Sequence, residues 1–159
     1  FIDVFDVTIP DYGTEMGPSR FVKEAPLETH IAHVRGVTGK PVVSVYGSEY
    51  LSGFLNEKPL AALRDDLARL GLARDAGMPE TEDHFACLCG VMRYLIGGDE
   101  VGVCNLTQQQ AFFARHLQPW SERFCDAIAA RPQQPFYAAL AGFTRAFMAI
   151  EAQGFDLLD

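Results

Sequence analysis

From Pro59 to the end of the chain, apolar residues recur at intervals of three and four, and that spacing restricts the fold to helices that each bury one face. Leu60, Leu63, Leu67 and Leu70 form the first such stripe, and Gly71 is placed to end it, because glycine readily takes the left-handed turn that closes a helix. Thr81 is positioned to cap a second helix carrying Phe85, Leu88, Cys89, Met92 and Ile96, with Gly97-Gly98 as its stop. Thr107 and Gln110 have capping-box spacing and predict a helix over 108–117. Pro119 suits the first turn of the next, with Trp120, Phe124 and Ile128 inward. Pro135 opens the last, where Phe136, Leu140, Phe143, Phe147 and Ile150 make a broad apolar face, read as core. The expected architecture is an all-α helical bundle with short connections.

The first 45 residues depart from this pattern. Phe1 to Ile9 is rich in β-branched and aromatic residues and is followed by Pro10, Gly13, Gly17 and Pro18, so an extended or β-flavoured lead, then loop, is expected. Pro26 to Val34 has the spacing of a short helix, with Leu27, Ile31 and Val34 on one side, and 37–46 reads as extended or irregular. The division is thus a lead over 1–45 and a helical domain over 46–159. At 159 residues and 48% hydrophobic, the chain has enough apolar material for a packed core rather than disorder. Its net charge of −8 argues against a nucleic-acid backbone as partner and favours cationic ones. No apolar run reaches the roughly 18 residues of a membrane span. Phe1 is followed by no basic region or cleavage pattern, so no export signal is expected and a cytoplasmic location is. Cys87, Cys89, Cys104 and Cys125 lie on or beside apolar helical stretches, which suits reduced thiols better than disulfides.

One stretch concentrates chemistry. Glu80-Thr81-Glu82-Asp83-His84 places three carboxylates and a protonatable ring at an elbow between two helical blocks. Acidic groups there also sit well against the positive end of the following helix, a purely structural reason for their presence. Asp83 and His84 resemble a proton-transfer pair, but neighbours on a helix diverge by about 100°, and no nucleophile or metal cage accompanies them. A catalytic role is therefore not assigned. Cys87-x-Cys89 has a metal-ligand look, yet residues two apart on a helix face different sides, and core packing is the better reading. His30 and His33 share a helical face without a third and fourth ligand nearby, so no metal site is assigned. Gly36 to Lys40 lacks the glycine spacing of a phosphate loop. Arg115 and His116 suit the negative end of the preceding helix. Trp120, the single tryptophan, is expected in the core with its indole N–H on a carbonyl.

In order and spacing, five segments resemble the TorD/DmsD/NarJ family of chaperones for molybdenum-cofactor oxidoreductases. They are Tyr46 to Leu51, Glu57 to Arg64, Glu80 to His84, Arg115 to Phe124 and Pro135 to Leu140, covering about 46–155. The resemblance implies an all-α chaperone of the TorD-like type without enzymatic turnover, and no cofactor is assigned. Its partner would be the apo-form catalytic subunit of a molybdoenzyme, held in the cytoplasm by its twin-arginine signal peptide or a related N-terminal segment until export. The family's hinge motif is Glu-Pro-x-Asp-His. Glu80, Glu82, Asp83 and His84 match it in place, and Thr81 stands at the proline. By resemblance Asp83, His84 and Tyr46 line the peptide groove, and charge makes Glu80, Glu82 and Asp83 the expected guanidinium acceptors. Tyr46, Tyr50, Leu51 and Phe54 are expected to take the apolar part of the peptide. The family also implies dimers by exchange of helices across the hinge, here near 71–83, and Glu57-Lys58-Pro59-Leu60 leans toward members serving formate dehydrogenases. No motif places a guanine nucleotide or a pterin. Two other readings stand beside this one: an interaction module whose β-flavoured lead pairs with a partner's sheet edge, and a hydrolase using His84 or a metal at His30 and His33.

Overall fold

The computed structural model describes residues 43–55, 57–74, 79–131 and 135–158. The expectations for the lead over 1–45, including the strand, the short helix and the His30/His33 pair, fall almost wholly outside them. The described residues form six α-helices in order: α1 (Gly47–Ser52), α2 (Lys58–Arg69), α3 (Phe85–Gly97), α4 (Leu106–His116), α5 (Gln118–Ala129) and α6 (Pro135–Asp156). The described residues carry no β-strand beyond one isolated bridge, and the all-α architecture stands.

Helix α2 follows its sequence closely. Pro59 lies in the first turn, where its missing N–H costs nothing, and Leu60, Leu63, Leu67 and Leu70 are all buried. Each such leucine contributes about 1.5–3 kcal/mol by leaving water. Gly71 then takes φ +72°, and Leu72 N donates to Leu67 O at 2.9 Å, closing the helix.

Three local expectations give way to other contacts. The cap of α3 is His84, whose Nδ1 accepts from Ala86 N at 3.1 Å. Thr81, expected in that role, instead donates its hydroxyl to Asp83 Oδ1 at 2.6 Å. The inward stripe of α3 is Phe85, Leu88, Met92 and Leu95, while Ile96 is exposed. Helix α4 begins earlier than expected because Asn105 caps it, accepting from Gln108 N at 3.0 Å. Asparagine is the stronger cap, so the Thr107–Gln110 box does not form. Gln110 Nε2 donates to Phe155 O at 3.1 Å instead.

Pro119 sits in the first turn of α5, Trp120 and Phe124 are buried, and Ile128 is half-buried. The main correction concerns α6. Its buried face is Ala141, Thr144, Met148 and Phe155, whereas Phe136, Phe143 and Ile150 are 70%, 54% and 66% exposed. Of the face read as core, these three therefore look outward, while Leu140 and Phe147 are half-buried. Helix α6 packs chiefly on α5, and the small Ala141 and Thr144 allow the close approach that bulky side chains would block.

Helices α3 to α6 pack in chain order, and α1 touches both α2 and α5. One backbone contact fixes where α1 sits. Tyr46 and His84 form an antiparallel bridge, with Gly47 N donating to Asp83 O and Phe85 N to Val45 O, both at 2.9 Å. The segment leading into α1 is thereby tied to the elbow leading into α3. Gly47 is needed at that crossing: a Cβ there would lie 3.0 Å from the indole of Trp120. Among the described residues, no helix is long and apolar enough to cross a membrane.

Candidate functional site

The bridge brings four of the five residues singled out in the sequence into one neighbourhood and turns their side chains in different directions. Asp83 points inward and is 4% exposed. Its Oδ2 accepts from Ser48 N at 2.9 Å and from Ser48 Oγ at 2.5 Å, and its Oδ1 from Thr81 Oγ1 at 2.6 Å. Three donors on a buried carboxylate satisfy it fully, and they pin the first turn of α1 to the elbow. Asp83 is thus a brace in this arrangement rather than an open guanidinium acceptor.

Tyr46, Glu80 and His84 cluster on the other side of the bridge. The Tyr46 hydroxyl donates to the Glu80 carboxylate, and the Tyr46 ring stands edge-on to the imidazole, with centroids 5.4 Å apart. Burial, then the hydrogen bond and charge of Glu80, push the Tyr46 hydroxyl well above its ordinary range, so it remains a donor. His84 has its pKa lowered by burial, which outweighs the opposing pull of Glu80 and Asp83. The ring is neutral near neutral pH, and its Nδ1 is committed to the helix cap.

Glu82 lies outside this group. Its carboxylate faces α2, where Arg64 Nε and Nη2 reach Oε1 and Oε2 at 3.1 and 3.0 Å, a bidentate fork. Arg74 Nε approaches Oε1 at 3.8 Å, and Arg74 Nη1 donates to Glu80 O at 3.4 Å. Burial works to raise the Glu82 pKa, but Arg64 and Arg74 hold it below its ordinary value. Neither arginine, nor Ser48, was singled out as a site residue from the sequence. For Arg64 and Ser48 the signal is pairing across 18 and 35 positions, which no local spacing displays.

Tyr50, expected on the peptide-facing surface, turns inward. It stacks on Trp120 at 5.3 Å and stands edge-on to Phe124 at 6.2 Å. Leu51, Phe54 and Leu55 are 41%, 70% and 50% exposed and form an apolar knuckle at the far end of α1. At a rise of about 1.5 Å per residue, that knuckle begins within roughly 10 Å of Tyr46 along the helix.

Catalytic chemistry has little to build on here. Burial and the neighbouring carboxylates raise the Cys87 thiol pKa, so it is held protonated, and Cys125 is pushed up to about 11 by burial. Cys87 and Cys89 are half-buried and not in disulfides, and among the described residues no group of three His, Cys, Asp or Glu is placed to hold a metal. His116 lies away from the elbow and is buried, its Nε2 2.8 Å from Asp66 Oδ2. Its pKa is lowered by burial against the pull of Asp66.

The two histidines carry a pH prediction. Each binds its proton less readily folded than unfolded, so the folded state is not penalised above the ordinary value of 6.5. Below 6.5 the unfolded chain takes up protons first, and stability falls until the lowered folded pKa values are passed. Urea midpoints should therefore hold steady from about pH 8 to 7 and drop between about pH 6.5 and 5. A midpoint that rises over the lower window would contradict the assignment.

Among the described residues, the elbow thus gathers hydrogen-bond acceptors beside an exposed apolar helix end within an all-α body. The chain belongs to the nitrate reductase delta subunit family, whose model matches residues 24–126, and with it to the TorD/DmsD/NarJ group of chaperones. It is 29% identical over 116 residues to the chaperone protein TorD of Aliivibrio fischeri, a match covering 68% of this chain and 54% of that protein. It is 33% identical over 88 residues to the Tat proofreading chaperone DmsD of Salmonella typhimurium, covering 55% of this chain and 41% of DmsD. The match to DmsD of Salmonella paratyphi A is 32% over 88 residues. The chain spans about half the length of these curated relatives. No solved structure matches it.

Proposed function

We propose that this protein is a non-enzymatic maturation chaperone that holds the twin-arginine leader, or a related N-terminal segment, of a molybdenum-cofactor oxidoreductase in the cytoplasm before export. The observation that carries the reading is the half-buried cluster of Tyr46, Glu80 and His84, with Glu82 nearby, at one end of a short helix whose other end exposes Leu51, Phe54 and Leu55. A leader peptide has the matching order: paired guanidinium groups followed by an apolar stretch. Glu80 would accept the first guanidinium in place of the Tyr46 hydroxyl, and Glu82 the second in exchange for its present partners. His84, neutral and edge-on to Tyr46, would flank the peptide without repelling it. Asp83, assigned to the groove by resemblance, takes part by holding the elbow in shape. Micromolar affinity needs only about −8.2 kcal/mol, within reach of two charge-assisted contacts and an apolar seat on a preformed surface.

Formate dehydrogenase is the client we favour, on the Glu57-Lys58-Pro59-Leu60 segment, and a dimer made by exchanging helices across 71–83 belongs to the same reading. The relatives named TorD and DmsD support the chaperone class. The experiment is calorimetric titration of a twin-arginine leader peptide against wild type, Glu80→Gln and His84→Ala. Affinity should fall about tenfold for Glu80→Gln, the loss of one charge-assisted contact, and less for His84→Ala. Equal affinity in all three proteins would remove these residues from the site.

A further inference from the structure

The face that α6 leaves in solvent is as regular as the one it buries. Phe136, Phe143 and Ile150 recur at intervals of seven, and Leu157, 87% exposed, continues the line just past the helix end. Ala139, Ala146 and Gln153 lie between them, also exposed, and none of these seven positions carries a charge. A heptad line of this kind is the pattern of a helix that pairs with another helix. Gly142 and Gly154 flank the line, both exposed, and a Cβ on either would meet nothing within 4 Å. No packing among the described residues therefore calls for glycine at these two places, although glycine weakens a helix interior. At the carboxyl end of the same helix, Leu106, Ile150, Gly154, Phe155 and Leu158 line a recess of about 290 Å³.

We propose that this face seats a second copy of the chain, α6 against α6 and antiparallel. The order of side-chain sizes selects the occupant. In a parallel pair equivalent positions meet, so Phe143 would crowd the partner's Phe143 and Ala146 would leave a gap opposite the partner's Ala146. Turned antiparallel about a twofold axis between Phe143 and Ala146, each large residue lies over a smaller one. Phe143 covers the partner's Ala146, Ile150 covers the partner's Ala139, and Phe136 reaches the partner's Gln153 and Gly154, beside the recess. Phe136 and Gly154 stand about 27 Å apart along one helix. One copy cannot bring them together, whereas two copies related by a twofold satisfy both ends at once. At about 200 Å² for a large apolar side chain, the exposed parts of Phe136, Phe143, Ile150 and Leu157 come to roughly 500 Å² per copy. The alanines and the rim of the recess bring the contact to about 600 Å² per partner, the lower end of specific interfaces. The pairing uses none of Tyr46, Glu80, Glu82, Asp83 or His84, so it is independent of the peptide reading. It opens no hinge, unlike helix exchange across 71–83, and so dissolves on dilution.

Sedimentation equilibrium of the full chain should show a monomer–dimer equilibrium with a dissociation constant on the order of 10 µM. Phe143→Ala should weaken it at least about fivefold by opening a gap, and Ala146→Phe by a similar factor through overfilling. Both positions are exposed, so neither change threatens the fold of the single chain, and far-UV circular dichroism checks this. Phe143→Ala/Ala146→Phe restores large over small in the antiparallel register and should recover wild-type affinity to within about twofold. Added salt should tighten the dimer, because it screens the repulsion between two copies of net charge −8. A wild type that stays monomeric throughout the micromolar range overturns the proposal. So does a dimer indifferent to both single changes, the behaviour of helix exchange or of another face. Tightening by Ala146→Phe would mean a parallel or unspecific apolar contact, and a double variant no stronger than the single ones would remove the antiparallel register. Either result overturns the proposal, as does a dimer that salt dissolves.

Discussion

Asp83→Ala is expected to cost about 3–5 kcal/mol of unfolding free energy, a large share of the stability of a domain this size. The size of the effect follows from what is left behind. Ser48 N, Ser48 Oγ and Thr81 Oγ1 all donate to this carboxylate, and water has little access to replace it at 4% exposure. The loss also unfastens the first turn of α1 from the elbow, and with it the alignment of Tyr46, Glu80 and His84. Peptide affinity should fall together with stability, which separates a brace from a direct contact. Asp83→Asn keeps one acceptor oxygen and should lose less. A double-mutant cycle of Ser48→Ala with Asp83→Asn should return a coupling of about 1.5–3 kcal/mol, typical of a hydrogen bond to a charged group. Guanidinium unfolding of the four proteins gives that number, and additive effects would show that Ser48 and Asp83 act independently.

Trp120→Ala should cost a similar about 3–5 kcal/mol, through the cavity left by the largest fully buried side chain. Tyr50 stacks on the indole at 5.3 Å, Phe85 stands edge-on at 5.5 Å, and Gly47 presses its backbone against the ring. The indole Nε1 donates to His116 O at 2.7 Å, a bond on the turn joining α4 to α5 that alanine would leave unmade. Trp120→Phe restores most of the volume without the donor and should recover more than half of the loss. Thermal or denaturant unfolding checks the order, wild type above Phe above Ala. Equal stability of the Phe and Ala variants would mean that packing around the ring is not what holds α1, α3 and α5 together.

Most of the helical framework was legible in the sequence because its signals are local. Leu60, Leu63, Leu67 and Leu70 fall on one face whatever surrounds them, and Pro119, Pro135 and Gly71 act through their own backbone preferences. The carbonyl partner of Trp120 was expected for a similar reason, since a buried indole N–H must be satisfied. Capping was less legible. Thr81 and Thr107 had suitable spacing, but Asp83 claimed the first hydroxyl and Asn105 supplied a better cap than the second. The outward face of α6 was misread because periodicity identifies an apolar stripe without saying which neighbour approaches. Against α5 the tighter fit was offered by Ala141 and Thr144.

The amino-acid order by itself determined that this chain would be helical from α2 onward, that an acidic elbow would join two helical blocks, and to which family it belongs. Only the tertiary structure decided what each acid does. Glu80, Glu82 and Asp83 lie within four residues, yet one meets a tyrosine, one an arginine pair and one two hydroxyls and an amide. Helical periodicity arises from contacts three and four residues apart and can be read along the chain. The partners of these carboxylates lie mostly 18 to 35 residues away, and the bridge between Tyr46 and His84 brings those of Glu80 and Asp83 within reach while the packing of α2 supplies Arg64.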